Sequence, residues 1–240
     1  MQKSPEQLSE IQKLTQLTRL KNGQIVFISL FTSVLALFVI IAVIFDIGAN
    51  TQTRSYQKLV NTIYQQAQAE KKANNLDWLV IENTVSKGVK LTFDAKILAK
   101  NPLFTSARAK LNPKFLPLLD SLVKLISTLD LANFTKKHQT LVKNIVEPND
   151  ALLMTIRIEG HTDSNKLSSS ALYQSNIELS CFRAYALMAY IRLYSSLPAK
   201  HFSIAGYGSF KPISNDAREA INRRVELYIV PHILYDKVYR

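Results

Sequence analysis

Apolar and polar positions change their period several times along the chain, and each change marks an element. Residues 25–45 contain no charged side chain, and at 1.5 Å per residue the run spans about 31 Å, the thickness of a bilayer's hydrocarbon core. It is read as a transmembrane helix. Ahead of it, Leu8, Ile11, Leu14, Leu17 and Leu20 recur every third position with Lys13, Arg19 and Lys21 between them. This is the pattern of a short amphipathic helix on headgroups or of a solvated tail. Behind it, Tyr56, Leu59, Val60, Ile63, Tyr64 and Ala67 follow the spacing of one helical face. Such a stripe needs a cover, and a second copy of itself, the membrane surface and the folded domain all qualify. Trp78 with Leu79, Val80 and Ile81 belongs to the start of that domain or to the interfacial belt.

From Gly88 onward, strand and helix periods alternate. Val89, Leu91 and Phe93 take every second position, and Pro113 opens a helix whose apolar face is Phe115, Leu118, Leu119, Leu122, Ile126 and Leu129. Met154, Ile156 and Ile158 alternate with Thr155, Arg157 and Glu159 until Gly160 stops the strand. Ser180 is expected to cap a helix carrying Ala184, Leu187, Met188 and Ile191, which would run to about Tyr194 and hold Arg183 in its first turn. Phe202 and Ile204 lead to a tight turn at Gly206, and Val225, Leu227 and Ile229 alternate as the last strand. Between the first of these helices and the Met154 strand, residues 131–150 are basic and partly amphipathic, an extra helix or a docking surface.

Composition narrows the functional classes. The formal charge is +12 over 240 residues, but the lysines and arginines are scattered rather than gathered in a stripe interleaved with aromatics, which argues against nucleic acid. Acidic lipid headgroups or the carboxylates of a wall polymer fit that charge better. A single cysteine, Cys181, allows no internal disulfide and no CxxC site, and it is read as a small apolar side chain on a helix. A cleaved signal peptide has an apolar region of only about 7–15 residues and a small-x-small cleavage site, and neither occurs here. The apolar run therefore stays as an anchor. Lys13, Arg19 and Lys21 before it, against Arg54 and Lys58 after it, favour a cytoplasmic N-terminus.

Candidate chemistry gathers at the end of the Met154 strand. Asp163 follows Gly160, His161 and Thr162, and Arg183 lies on the next helix, so an acid and a planar two-pronged donor flank one cleft. A zwitterion, with ammonium and carboxylate on one carbon, needs such a pair; a structural ion pair is the other use of it. His161 and Asp163 at i, i+2 do not make a zinc centre, His138 and His201 have no ligand-like spacing, and no G-x-S-x-G motif is present. Neither an enzyme nor a metal or cofactor site is expected.

G-H-T-D at 160–163, N-x-x-L-S-x-x-R-A at 176–184, G-Y-G at 206–208 with Pro212, and N-R-R-V-E-L at 222–227 occur in that order. Together they resemble the signature of the OmpA-like, or MotB-like, peptidoglycan-binding domain. The resemblance implies an α/β (α+β sandwich) fold of βαβαβ type with a mixed sheet, and non-catalytic binding of the cell-wall stem peptide. It assigns the grip on diaminopimelate to Asp163 and Arg183, with Thr162, Asn176, Leu179, Asn222 and Arg223 completing the site. Residues 103–113 resemble the family's F-x-x-G-S-A-x-L-x-P segment with two departures, Ala107 in place of Gly or Ser and Thr105 where some members carry an aspartate. The implied organisation is a cytoplasmic tail at 1–24, a membrane helix at 25–47, a helical linker at 48–87 suited to dimerisation, and the domain at 88–240. That describes a single-pass inner-membrane protein with its domain in the periplasm. Its implied partners are peptidoglycan, the membrane, a second copy of itself and a multi-pass membrane protein, with no nucleic acid.

MotB-type stator subunits carry a proton-accepting aspartate inside the membrane helix, where this chain offers only Ser29, Thr32 and Ser33, and Asp46 falls at the outer boundary. The expectation is a wall anchor for a membrane complex, with a MotB-like stator subunit of a motor or anti-phage complex as the alternative.

Overall fold

The computed structural model describes residues 5–84, 86–105, 107–168 and 171–235, with side chains described for 17–45 and from 51 onward within those ranges. The side chains of Leu8, Ile11, Leu14 and Asp46 lie outside them. The chain forms two compact units, Met1–Thr51 and Gln52–Arg240.

Helix α1 (Pro5–Ala73) contributes to both units, and its part in the first includes the stretch Leu17–Phe45, which is long and apolar enough to cross a membrane and has none of its side chains buried. Its hydroxyls are satisfied within the helix: Thr32 Oγ1 donates to the Ile28 carbonyl at 2.9 Å and Ser33 Oγ to the Ser29 carbonyl at 2.8 Å. In hydrocarbon an unpaired hydroxyl has no water to turn to, so this back-bonding lets the residues sit in an apolar run.

The second unit is a mixed five-stranded sheet in the order β1-β2-β5-β3-β4. Strands β1 (Leu79–Thr84) and β2 (Gly88–Phe93) form an antiparallel pair. After the short α2 (Ala95–Lys100), helix α3 (Leu116–Thr128) turns Leu119, Leu122, Val123, Leu125 and Ile126 inward. Helices α4 (Leu131–Lys137) and α5 (Gln139–Lys143) lead to β3 (Ala151–Gly160). Helix α6 (Asn176–Ser195) crosses to β4 (Phe202–Gly206), parallel to β3, and β5 (Val225–Leu234) closes the sheet between β2 and β3, antiparallel to both.

The core explains several features that periodicity left open. Leu59, Val60, Ile63 and Ala67 are buried in the same cluster as the sheet and α3, so the stripe on α1 is covered by the domain itself. Gln68 Nε2 donates to the Ile81 carbonyl at 3.3 Å and Gln52 Nε2 to that of Ile145 at 2.7 Å, tying that segment to β1 and to the turn after α5. Trp78 stacks on Phe93 at 5.8 Å and so lies at the start of the domain, with Phe93 edge-on to Phe115 at 5.0 Å. The 131–150 segment forms two short helices and supplies Leu131, Phe134 and Ile145 to the core, as the extra-helix reading expects.

One expectation is corrected. Helix α6 starts at Asn176, capped by Ser175, whose side chain accepts from the Glu178 N–H at 3.1 Å. Glu178 Oε2 in turn accepts from the Gln174 N–H at 2.6 Å, a variant of the reciprocal S-x-x-E cap. Ser180 is buried within the helix, and Arg183 is two turns in.

Candidate functional site

Backbone hydrogen bonds gather the sequence blocks at the C-terminal end of β3. The His161 N–H donates to the Arg224 carbonyl at 2.9 Å, the Thr162 N–H to that of Gly208 at 2.8 Å, and the Tyr207 N–H to that of Gly160 at 2.9 Å. Ser180 Oγ, itself donating to the Ile177 carbonyl at 2.7 Å, accepts from the Gly208 N–H at 2.9 Å. Blocks far apart in the chain thus share one small network. Two of its glycines are steric requirements: a Cβ on Gly160 would meet the Ser180 carbonyl oxygen at 2.1 Å, and one on Gly206 would meet Cys181 Sγ at 2.4 Å. The backbone of α6 can sit directly on the ends of β3 and β4 only because neither position has a side chain.

This network floors a cavity of about 890 Å³ lined by Thr162, Asp163, Asn176, Leu179, Arg183 and Arg223 among others. Asp163 Oδ2 accepts from Arg223 Nη1 at 2.7 Å; the carboxylate is largely buried and the guanidinium half exposed. Arg183 is buried, yet no carboxylate pairs with it among the described residues. Its Nε donates to the Arg108 carbonyl at 3.1 Å, and its guanidinium lies over the Phe104 ring at 5.3 Å. Burial and the nearby Arg223 lower its pKa, which Asp163 partly offsets. Asn176 Nδ2 donates to the carbonyls of Asp163 at 3.3 Å and Asn165 at 3.0 Å, fixing the loop that carries the acid. The Thr162 hydroxyl is buried with no hydrogen-bond partner among the described residues.

Asn222 stands apart from the other expected residues. It is buried outside the cavity lining, its Oδ1 accepting from the Ile213 N–H at 2.9 Å and its Nδ2 donating to the Asp216 carbonyl at 3.0 Å. Its side chain holds the loop before β5 and thereby places Arg223. The segment that resembles the family's F-x-x-G-S-A-x-L-x-P block supplies the Arg108 carbonyl and the Phe104 ring that orient Arg183. Tyr173, which no sequence pattern marks, accepts through its hydroxyl from the Ala109 N–H at 3.3 Å and joins that segment to the β3–α6 loop.

A second charged group lies beside the first. Glu226 accepts from Arg224 Nε and from the Tyr228 hydroxyl, each at 2.7 Å, with Lys90 Nζ at 3.5 Å; Glu159 pairs with Arg157 at 2.5 Å. Burial would raise the Glu226 pKa, but those hydrogen bonds and the charges of Arg224 and Lys90 outweigh it and hold the group at about 2. His161, stacked on Tyr207 at 5.4 Å, is pushed down to about 4 by burial and by the charge of Arg224. Possible ligand atoms of Glu159, His161 and Glu226 fall within 4.8 Å of one another. Arg157, Arg224 and Lys90 already supply the positive charge that a cation would bring to these carboxylates.

The sheet order and the β3–α6–β4 crossover give the second unit an OmpA-like, MotB-like fold. The comparisons agree: residues 127–225 match the OmpA family. The chain is 41% identical over 98 residues to the uncharacterized protein YtxE of Bacillus subtilis (strain 168), a match covering 40% of this chain and 38% of that one. It is 44% identical over 79 residues to Motility protein B of the same organism, covering 32% of this chain and 30% of that one. The matched stretch is thus well under two-thirds of either relative. The crystal structure of a MotB-like protein from Desulfovibrio vulgaris superposes with a TM-score of 0.52 at 20% identity, covering 75% of this chain and 99% of that one.

Proposed function

We propose that this chain is a MotB-like membrane subunit whose domain holds peptidoglycan through the Asp163–Arg183 cleft and which works with a multi-pass membrane partner. The observation that carries the binding half is Arg183: a buried guanidinium with its Nε and one face engaged by the protein, and no carboxylate partner among the described residues. Asp163 lines the same cavity, so the pair suits the ammonium and carboxylate of a diaminopimelate side chain. Support for the MotB-like half is the 44% identity to Motility protein B, together with an N-terminal helix long enough to span a membrane. In this reading the domain lies outside the cytoplasm and the subunit pairs with a second copy. The alpha1 stripe, being covered by the domain, is not the contact that such a pair would use.

The test of the binding half is sedimentation with purified peptidoglycan. Asp163→Ala and Arg183→Ala should each weaken binding by about 2 to 5 kcal/mol, the effect of truncating one partner of a buried charge-assisted contact. Undiminished sedimentation of both variants would refute the site.

A static wall anchor is the second reading, favoured by the absence of any acid in residues 25–45. The two part at Asp46. Asp46→Asn should abolish function in a proton-coupled subunit and leave a static anchor unaffected, provided immunoblots show equal insertion.

A further inference from the structure

The cavity has a charge imbalance that reaches beyond the grip on a zwitterion. Of its described lining residues, Lys90, Lys166, Arg183, Arg223 and Arg224 are cationic, and only Asp163 and Glu226 are anionic. Much of this charge is matched inside the protein: Arg223 holds Asp163 at 2.7 Å, while Arg224 and Lys90 share Glu226 at 2.7 and 3.5 Å. Arg183 is the buried cation left without a carboxylate among the described residues, and Lys166 is exposed on the β3–α6 loop. His161 is uncharged near neutral pH and adds nothing to the balance.

Arg183 is held on two sides by the protein. Its Nε is committed to the Arg108 carbonyl at 3.1 Å, its face rests on Phe104 at 5.3 Å, and Tyr173 pins the same segment through the Ala109 N–H at 3.3 Å. The guanidinium has been desolvated in advance, and its remaining edge offers parallel N–H donors that fit the two oxygens of a carboxylate. A carboxamide presents one neutral oxygen and an NH₂ group whose hydrogens would face those donors. A site built around a buried donor set discriminates strongly against a ligand that leaves it unmatched.

We infer that the pocket is selective for stem peptides whose zwitterionic centre carries a free carboxylate, and that it rejects the carboxamide form, with Arg183 as the reader and Lys166 adding a long-range preference for anionic ligands. The inference rests on the peptidoglycan-binding reading and narrows its ligand. A phosphate-bearing wall polymer would also be drawn to a cationic cavity, but Asp163, placed for an ammonium, favours an amino acid.

Calorimetry on the full chain in detergent micelles tests it with two synthetic tripeptides, L-Ala-γ-D-Glu-meso-diaminopimelate and the same peptide amidated at its zwitterionic centre, with glycerol phosphate as competitor. The expected result is amide binding at least about tenfold weaker, a difference of about 1.4 kcal/mol, with no competition by glycerol phosphate. Lys166→Gln should weaken the free-acid peptide a few-fold at low salt and less at high salt. Equal affinity for the two peptides overturns the selectivity and leaves wall binding standing. Effective competition by glycerol phosphate overturns it in favour of a phosphate site. Failure of both peptides to bind removes the wall-binding reading and the selectivity together.

Discussion

Two charged groups sit side by side at the end of the sheet, and they are organised on opposite principles. Around Glu226 the charges close on themselves: Arg224, Lys90 and the Tyr228 hydroxyl all converge on one carboxylate. Around Asp163 they stay open, since Arg223 is half exposed and Arg183 has no carboxylate partner among the described residues. A buried carboxylate already shared by several donors contributes to a unique fold, although Arg224 Nη1 and both ring nitrogens of His161 beside it have no hydrogen-bond partner among the described residues. The open group carries an unmatched buried charge that only a ligand satisfies, and its arginine is held by a carbonyl and a ring that cannot neutralise it. Under the proposed function the first group serves the fold and the second serves recognition, although both line the same cavity.

The sharpest way to break that contrast is Glu226→Ala. It leaves the largely buried Arg224 without its carboxylate, while Lys90 keeps Glu82 at 3.6 Å, and unfolding free energy in urea should fall by about 3 kcal/mol, as it does when one partner of a buried pair is removed. Peptidoglycan sedimentation of the fraction still folded should persist. A stability loss from Arg183→Ala as large as that from Glu226→Ala would erase the distinction between the groups.

Acid titration is the next effect in size. His161 has a pKa of about 4 in the folded chain against 6.5 when unperturbed, so between those values the unfolded chain binds a proton that the folded one excludes. Its contribution is complete above about pH 6.5 and is lost as the pH falls toward 4. Glu226, held at about 2 against 4.5, extends the loss from about pH 4.5 downward, because there too the unfolded state takes up the proton first. The melting temperature should decline from pH 6.5 to 4, and His161→Phe should flatten that part of the curve.

The smallest effect concerns the segment that orients Arg183. Ala107 has φ +50°, the left-handed region in which a Cβ is strained. Ala107→Gly should relieve about 1 kcal/mol of that strain, offset in part by the freer unfolded chain. A small rise or no change in the urea midpoint is expected; a marked fall would show that the methyl group packs usefully at the cavity wall.

Much of this architecture was legible in the chain because local periodicity survives folding. The apolar run at 25–45, the alternation at Met154, Ile156 and Ile158, and the helical spacing at Leu119, Leu122 and Ile126 each correspond to an element of the expected type. The start of α6 was misplaced because two serines compete as caps, and Ser175 has Glu178 three positions on to complete the cap while Ser180 does not. Strand β1 is not legible in the chain, since Leu79, Val80 and Ile81 form a short continuous run, which periodicity alone cannot distinguish from a helix or an interfacial segment.

What the sequence determined by itself was which residues could meet, because the glycines at 160 and 206, the acid at 163 and the arginines at 183 and 223 belong to blocks of fixed internal spacing. What only the tertiary structure decided was how they divide the work. No spacing distinguishes Arg223 from Arg224, yet one faces the cavity beside Asp163 and the other is turned into Glu226. No pattern shows that Asn222 is used up by the loop it braces, or that Phe104 and the Arg108 carbonyl hold Arg183. Side-chain burial and pairing depend on neighbours remote in the chain, and those neighbours exist only once the sheet and its crossover helix have brought the chain ends of four elements together.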